Sequence, residues 1–172
     1  MKDSEISSIS EQEDDQPTRP RSYKDFSRRD IRSLIFHLIY AMDAFEYQVS
    51  LEAILENFNK GFELDIPLDS EVFTIAQGVI NDREALDEQI KPLLINWRFE
   101  RLGLSTKLIL RQALWELLNT ETPASIIINE AIELAKCFSE VDAYKFVNGI
   151  LDEVVKSLGR TDNEDQEKTS ES

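Results

Sequence analysis

The chain is poor in the residues that most often carry catalysis or cross-link a fold. Its 172 residues include one cysteine, Cys137, and one histidine, His37. A lone cysteine can neither close an internal disulfide nor supply a zinc set, and the setting it implies is a reducing cytoplasm. Five glycines and five prolines are too few to turn the many strands of an all-β fold. No apolar run approaches the ~18 residues of a membrane span. The N-terminus, MKDSEISSISEQEDD, is acidic and polar where a secretory leader would be basic and then apolar. No glycine-rich phosphate loop occurs, and neither His37 nor Cys137 has an evident nucleophile or base beside it in a motif. An enzyme is not expected, nor is a cofactor.

Positive charge is also scarce, with 19 Lys and Arg against 34 Asp and Glu, for a net charge of -15. Its distribution is uneven. Residues 1–18 carry one Lys and six acids, and residues 33–158 carry ten basic against twenty-one acidic residues. Between them, residues 19–32 hold six basic residues (Arg19, Arg21, Lys24, Arg28, Arg29, Arg32) and two acids. The chain is therefore an acidic body with one short basic segment. At physiological salt the screening length is only ~8 Å, so such a segment can hold a polyanion locally although the whole protein repels it. Any nucleic-acid site should be small and strongly salt-dependent.

The apolar pattern is helical throughout. Residues 1–21 read as a disordered extension, 22–159 as one helical domain and 160–172 as a disordered acidic tail. Ser27 is a good N-cap for a first helix carrying Ile31, Leu34, Ile35, Leu38, Ile39 and Met42 and ending near Ala44. A second helix covers about 50–59. A third starts after Asp69, with a kink or break expected near Gly78–Asp82 and at Pro92. Ser105 or Thr106 is expected to cap the next helix, and Thr122 followed by Pro123 the one after it. Ser139 with Asp142 resembles a capping box for a last helix ending at Gly159. The fold class is all-α: six to seven helices in a compact bundle of two small subdomains.

Among the candidate functional residues, the acid pairs Glu130/Glu133 and Asp152/Glu153 lack the Glu-x-x-His element of helical di-metal sites, so no metal is expected. Cys137 in AKCF reads as a small core residue and His37 as a structural histidine. Arg28, Arg29 and Arg32 lie in the first turns of the first helix, where cations oppose the helix dipole. Together with free N-terminal amides, their guanidinium forks suit phosphate. A solvated start to an apolar helix is the other reading. Tyr40, two turns beyond Arg32, can stack an unpaired RNA base or pack in the core. Asn148-Gly149 interrupts the last helix at a cost of about 1 kcal/mol against alanine, which calls for a close approach by a neighbouring helix or a ligand.

Several stretches resemble the NusB family of transcription antitermination factors. They are Arg28-Arg29-x-x-Arg32 leading to Leu38-Ile39-Tyr40, Trp97-x-x-x-Arg101-Leu102, Leu110-Arg111-x-Ala113-Leu114-Trp115-Glu116-Leu117, Ile128 to Lys136, and Lys145 to Asp152. The resemblance spans about residues 26–158. It implies two small three-helix subdomains and a non-enzymatic role in the antitermination complex of RNA polymerase. There the protein would bind the boxA element of ribosomal RNA operon transcripts together with NusE, a small-subunit ribosomal protein. Carried over by motif, Arg28, Arg29, Arg32, Tyr40, Asp142, Lys145 and Phe146 would face RNA, and Thr106, Lys107, Arg111 and Glu116 would face NusE, whose basic character suits the acidic body. The resemblance also admits a homodimer through an exposed first-helix face.

Departures from the family pattern are Asp30 inside the arginine run, Thr106 where an acid is usual, and the acidic extension 1–18, which could fold back on the basic segment and compete with RNA. These leave open a protein-interaction scaffold with weakened RNA binding. A NusB-like domain ahead of a ribosomal-RNA methyltransferase is the least fitting alternative, for want of residues and of a cofactor loop.

Overall fold

A computed structural model describes residues 21–160. The acidic extension and acidic tail lie outside the described residues, apart from Arg21 and Arg160 at their edges. Among the described residues there are six α-helices and no strand: α1 (Arg28–Ala44), α2 (Leu51–Gly61), α3 (Glu71–Ile90), α4 (Leu104–Asn119), α5 (Ala124–Phe138) and α6 (Ala143–Leu158). The all-helical expectation holds.

The first three helices start on serines. Ser50 and Ser70 accept from the amides of Ala53 and Phe73. Ser27 does more: its Oγ accepts from the Asp30 amide at 3.1 Å, and Asp30 Oδ2 accepts from the Ser27 amide at 3.0 Å. This closed capping box satisfies two otherwise orphaned donors and gives Asp30 a local role that its place in an arginine run conceals. In the last three helices the residue at the N-cap position, Gly103, Pro123 or Asp142, makes no side-chain cap bond of its own. Gly103, rather than Ser105 or Thr106, precedes α4, and Pro123 itself occupies the cap position of α5. The expected Ser139/Asp142 box does not form. Ser139 ends α5, and Asp142 turns the chain into α6 with a left-handed φ of 67°. Aspartate is one of the few side-chain-bearing residues that tolerate this region.

α3 runs unbroken through Gly78, contrary to expectation, and Pro92 closes it in a 3-10 turn, Lys91–Leu93. The reason for Gly78 is packing. A Cβ there would lie 2.3 Å from Cζ2 of the Trp115 indole, whose Nε1 donates to Asp82. Gly149 is the reverse case: it is exposed, and no atom lies within 4 Å of the position a Cβ would take. Asn148 lines a groove with Ala124, Ser125, Ile128 and Asn129 of α5, but Gly149 itself meets no neighbouring helix.

α1–α3 and α4–α6 form two groups of three. α4 contacts α1 and α3 as well as α5 and α6, so the two groups share one core. Leu108, Ile109, Leu110, Ala113, Leu114 and Leu117 bury α4 on nearly every side. A helix apolar around most of its circumference belongs in the centre. Arg160, expected in the tail, donates to the carbonyls of Leu117, Thr120 and Thr122 and clasps the α4–α5 connection. At the other edge, the Arg21 amide donates to the Glu63 carbonyl at 3.0 Å and ties the entering chain to the loop after α2.

Candidate nucleic-acid interface

The capping box fixes where α1 begins and hence where its arginines point. Arg28 and Arg29 are exposed. Arg28 reaches Glu71, the first residue of α3, through two parallel bonds, Nη1–Oε2 at 2.6 Å and Nη2–Oε1 at 2.7 Å. Arg29 lies over α5, with Nε and Nη2 at 3.4 and 3.5 Å from the Glu130 carboxylate. Arg21 bonds Asp30 at 3.0 Å.

Arg32 departs from the sequence reading. It is 5% exposed, and its Nε bonds Glu116 Oε2 at 3.2 Å. The Arg32 carbonyl accepts from Gln112 of α4. The position explains this: Arg32 precedes Ile35 and Phe36 by one turn on the stripe that faces the core. Burial raises the Glu116 carboxyl above its usual range, and the Arg32 charge pulls it back. Arg32 is a core tie between α1 and α4 and does not stand beside Arg28 as a phosphate ligand.

α1 and α5 run in the same direction, since Arg29 meets Glu130 and Phe36 stacks on Phe138 at 4.9 Å between ring centroids. Continued by one turn, this register carries Tyr40 toward the 139–142 loop. Tyr40 is 43% exposed, with its ring tilted against Phe36 at 6.0 Å. His37 is half-buried; its Nδ1–H donates to the Ser33 carbonyl and its edge meets Phe138, a structural placement. Cys137, expected in the core, is exposed. The residues 136–138 turn outward where α5 ends, and Ala135 takes the buried place.

Beyond that loop lies a second set of expected residues. Asp142 and Lys145 are exposed and 3.4 Å apart. Phe146 is half-buried and faces the exposed Trp97, ring centroids 5.9 Å apart, at a cleft of about 270 Å³. Trp97, Val141 and Phe146 make its walls apolar, and Arg101 lines it together with the acids Glu140 and Asp142. An aromatic-walled cleft can accept an unstacked base. Trp97 was quoted only as part of a motif; nothing in its local sequence shows that it faces Phe146.

The residues expected to meet a protein partner fare differently. Thr106 is buried and bonds Ser139 at 3.3 Å. Glu116 is buried on Arg32. Arg111 is gripped by Asp87 through bonds of 2.6 and 2.7 Å and is 11% exposed. Each sits on the inward side of the central helix, which explains why these three are internal ties rather than surface contacts. Lys107 is half-buried, with its Nζ 5.1 Å from the centroid of the Phe99 ring. Three of the four acids in the expected acid pairs meet cations, Glu130 with Arg29, Glu133 with Lys136 and Glu153 with Lys156, and Asp152 is exposed.

Residues 29–156 match the model of the NusB family. The transcription antitermination protein NusB of Staphylococcus epidermidis is 38% identical over 128 residues, covering 74% of this chain and 98% of that protein. The Staphylococcus carnosus protein of the same name is 37% identical over 125 residues, 73% and 96% of the two chains. Among solved structures, T. maritima NusB superposes with a TM-score of 0.67 at 31% identity, over 76% of this chain and 92% of that one. NusB in a complex of antitermination factors NusB and NusE with double-stranded RNA superposes at 0.64 and 22% identity, over 76% and 96%, a likeness of fold. With the helical bundle, the α1 arginines and the Trp97–Phe146 cleft in place, the match over most of the chain means that this protein belongs to the NusB family.

Proposed function

We propose that the protein is a transcription antitermination factor that binds single-stranded boxA RNA of ribosomal RNA operon transcripts together with a NusE-like ribosomal protein, within an RNA polymerase complex. The observation that carries this reading is a cationic corner on an acidic body. Arg28 and Arg29 stand exposed at the start of α1, and the α1–α5 seam leads from them past Tyr40 toward the loop that precedes the Trp97–Phe146 cleft. Phosphates at the arginines and bases at the rings give a short, extended strand both kinds of contact it offers. The phosphate share rests on two α1 arginines rather than three.

A second reading, a protein-interaction scaffold with weakened RNA binding, is favoured by the ion pairs that occupy all three arginines. The Arg28 and Arg29 side chains are solvated, however, so a polyphosphate can reach and replace these pairs. The test is a mobility-shift titration of boxA RNA with and without NusE at two salt concentrations. Arg28→Ala with Arg29→Ala should weaken RNA binding by about tenfold while NusE binding persists. An RNA affinity unchanged in that variant would leave the scaffold reading.

A further inference from the structure

We propose that Glu71 and Glu130 restrain RNA binding: their carboxylates occupy Arg28 and Arg29 as stand-ins for phosphate, and RNA must displace them. This rests on the RNA-binding reading above. The geometry of the first pair is a fork on a fork, with both Nη atoms of Arg28 on both oxygens of Glu71. A phosphate would take up the same two-point arrangement. Glu130 holds Arg29 more loosely, at 3.4 and 3.5 Å. The acids come from α3 and α5, 43 and 101 residues away, so no helix-local spacing dictates either pair.

The Arg28 and Arg29 side chains are 62% and 66% exposed, so neither arginine needs its carboxylate to offset burial, although Glu130, at 19%, is the more sheltered partner. Contrast Arg32 and Glu116, both 6% exposed in their side chains, where each charge requires the other. The surface pairs add little to stability and bear instead on what the arginines are free to bind. Exchanging a carboxylate for a phosphate is nearly neutral in Coulomb terms. A polyanion that offers only phosphates therefore gains little. A strand that also places bases on Tyr40 and in the Trp97–Phe146 cleft gains from stacking as well. The two acids thus lower affinity for every RNA, and the base contacts decide which RNA still binds.

The double variant Glu71→Gln, Glu130→Gln of the full chain tests this against Glu84→Gln. Glu84 is an exposed acid thirteen residues along α3 from Glu71, ~20 Å by helical rise and well beyond a screening length. The probes are a labelled single-stranded RNA containing boxA and an oligouridine of equal length, titrated over a salt series, with helical content checked by circular dichroism. The double variant should bind boxA RNA and oligouridine each about tenfold more tightly, leaving the ratio between them unchanged. The slope of log affinity against log salt should steepen by up to ~0.7 for each arginine freed. Glu84→Gln should change none of these. If the double variant matches Glu84→Gln, or binds more weakly, the acids position the arginines and the proposal falls. If the wild type itself fails to bind boxA RNA, alone and with NusE, the RNA-binding reading falls first and takes this one with it.

Discussion

At the scale of single residues, three neighbouring arginines carry two different duties. Arg28 and Arg29 face solvent, whereas Arg32 is sealed against Glu116. Breaking a buried pair from one side is costly, since the remaining charge stays desolvated. Arg32→Met should therefore destabilise the protein by about 3 kcal/mol in chemical denaturation at neutral pH, and Arg32→Met with Glu116→Leu should recover most of the loss. The pH dependence of the single variant follows from Glu116. Its carboxyl is raised by burial, and losing Arg32 raises it further. An acid with a raised folded-state pKa takes up its proton more readily when folded, so stability is greatest at low pH and falls as pH rises through that pKa. Arg32→Met should thus be closer to wild type at pH 5 than at pH 8. A pH-independent loss would mean that Glu116 is not ionised in the core. The R-R-x-x-R pattern made phosphate the natural reading of Arg32; its place one turn before Ile35 and Phe36 was the sign of burial, and only the partner 84 residues away settles it.

Among the helices, what could be read in advance depended on how local the cause was. Ser27 as the start of α1 is a matter of four residues, and the structure has it with Asp30 completing the box. The Asp30 carboxyl is held below its usual range, first by the Ser27 amide and then by the Ser27 hydroxyl and Arg21. Its stabilising share is present above the ordinary aspartate range and is lost as pH falls through the lowered value. Ser27→Ala should cost about 1 kcal/mol, a fall of roughly 3 °C in Tm.

The starts of α4, α5 and α6 were misread because their apparent caps lie inside or beside helices that packing, rather than capping, sets in place. The two helical glycines looked alike in sequence and differ in surroundings. Gly78→Ala should destabilise, since Trp115 occupies the space, while Gly149→Ala should raise stability by about 0.5–1 kcal/mol. Thermal melts of the two variants moving in the same direction would contradict this. Asn148-Gly149 reads as a close approach, and among the described residues none is made at Gly149.

At the scale of the whole molecule, composition alone excluded a disulfide framework and an all-β fold, and periodicity gave the helical bundle. The surface was harder to read, because it is set by which charges the fold cancels. Residues 33–158 carry eleven more acids than bases, and the α1 arginines are partly neutralised by two of those acids. Association with a basic ribosomal partner should accordingly weaken as salt rises from low to physiological, chiefly through a slower on-rate. Stopped-flow mixing at several ionic strengths would measure it, and a salt-independent on-rate would count against docking on the acidic body.

The two tryptophans sit at opposite poles of solvent access. Trp97 is 59% exposed at the mouth of the cleft, and Trp115 lies half-covered over Gly78 with its indole nitrogen on Asp82. Quenching of the first reports occupancy of the cleft, and a change in emission of the second reports loosening of α3 from α4. With Trp97→Phe and Trp115→Phe each leaving a lone fluorophore, ligand capture and unfolding can be watched as separate optical signals in protein that carries no label.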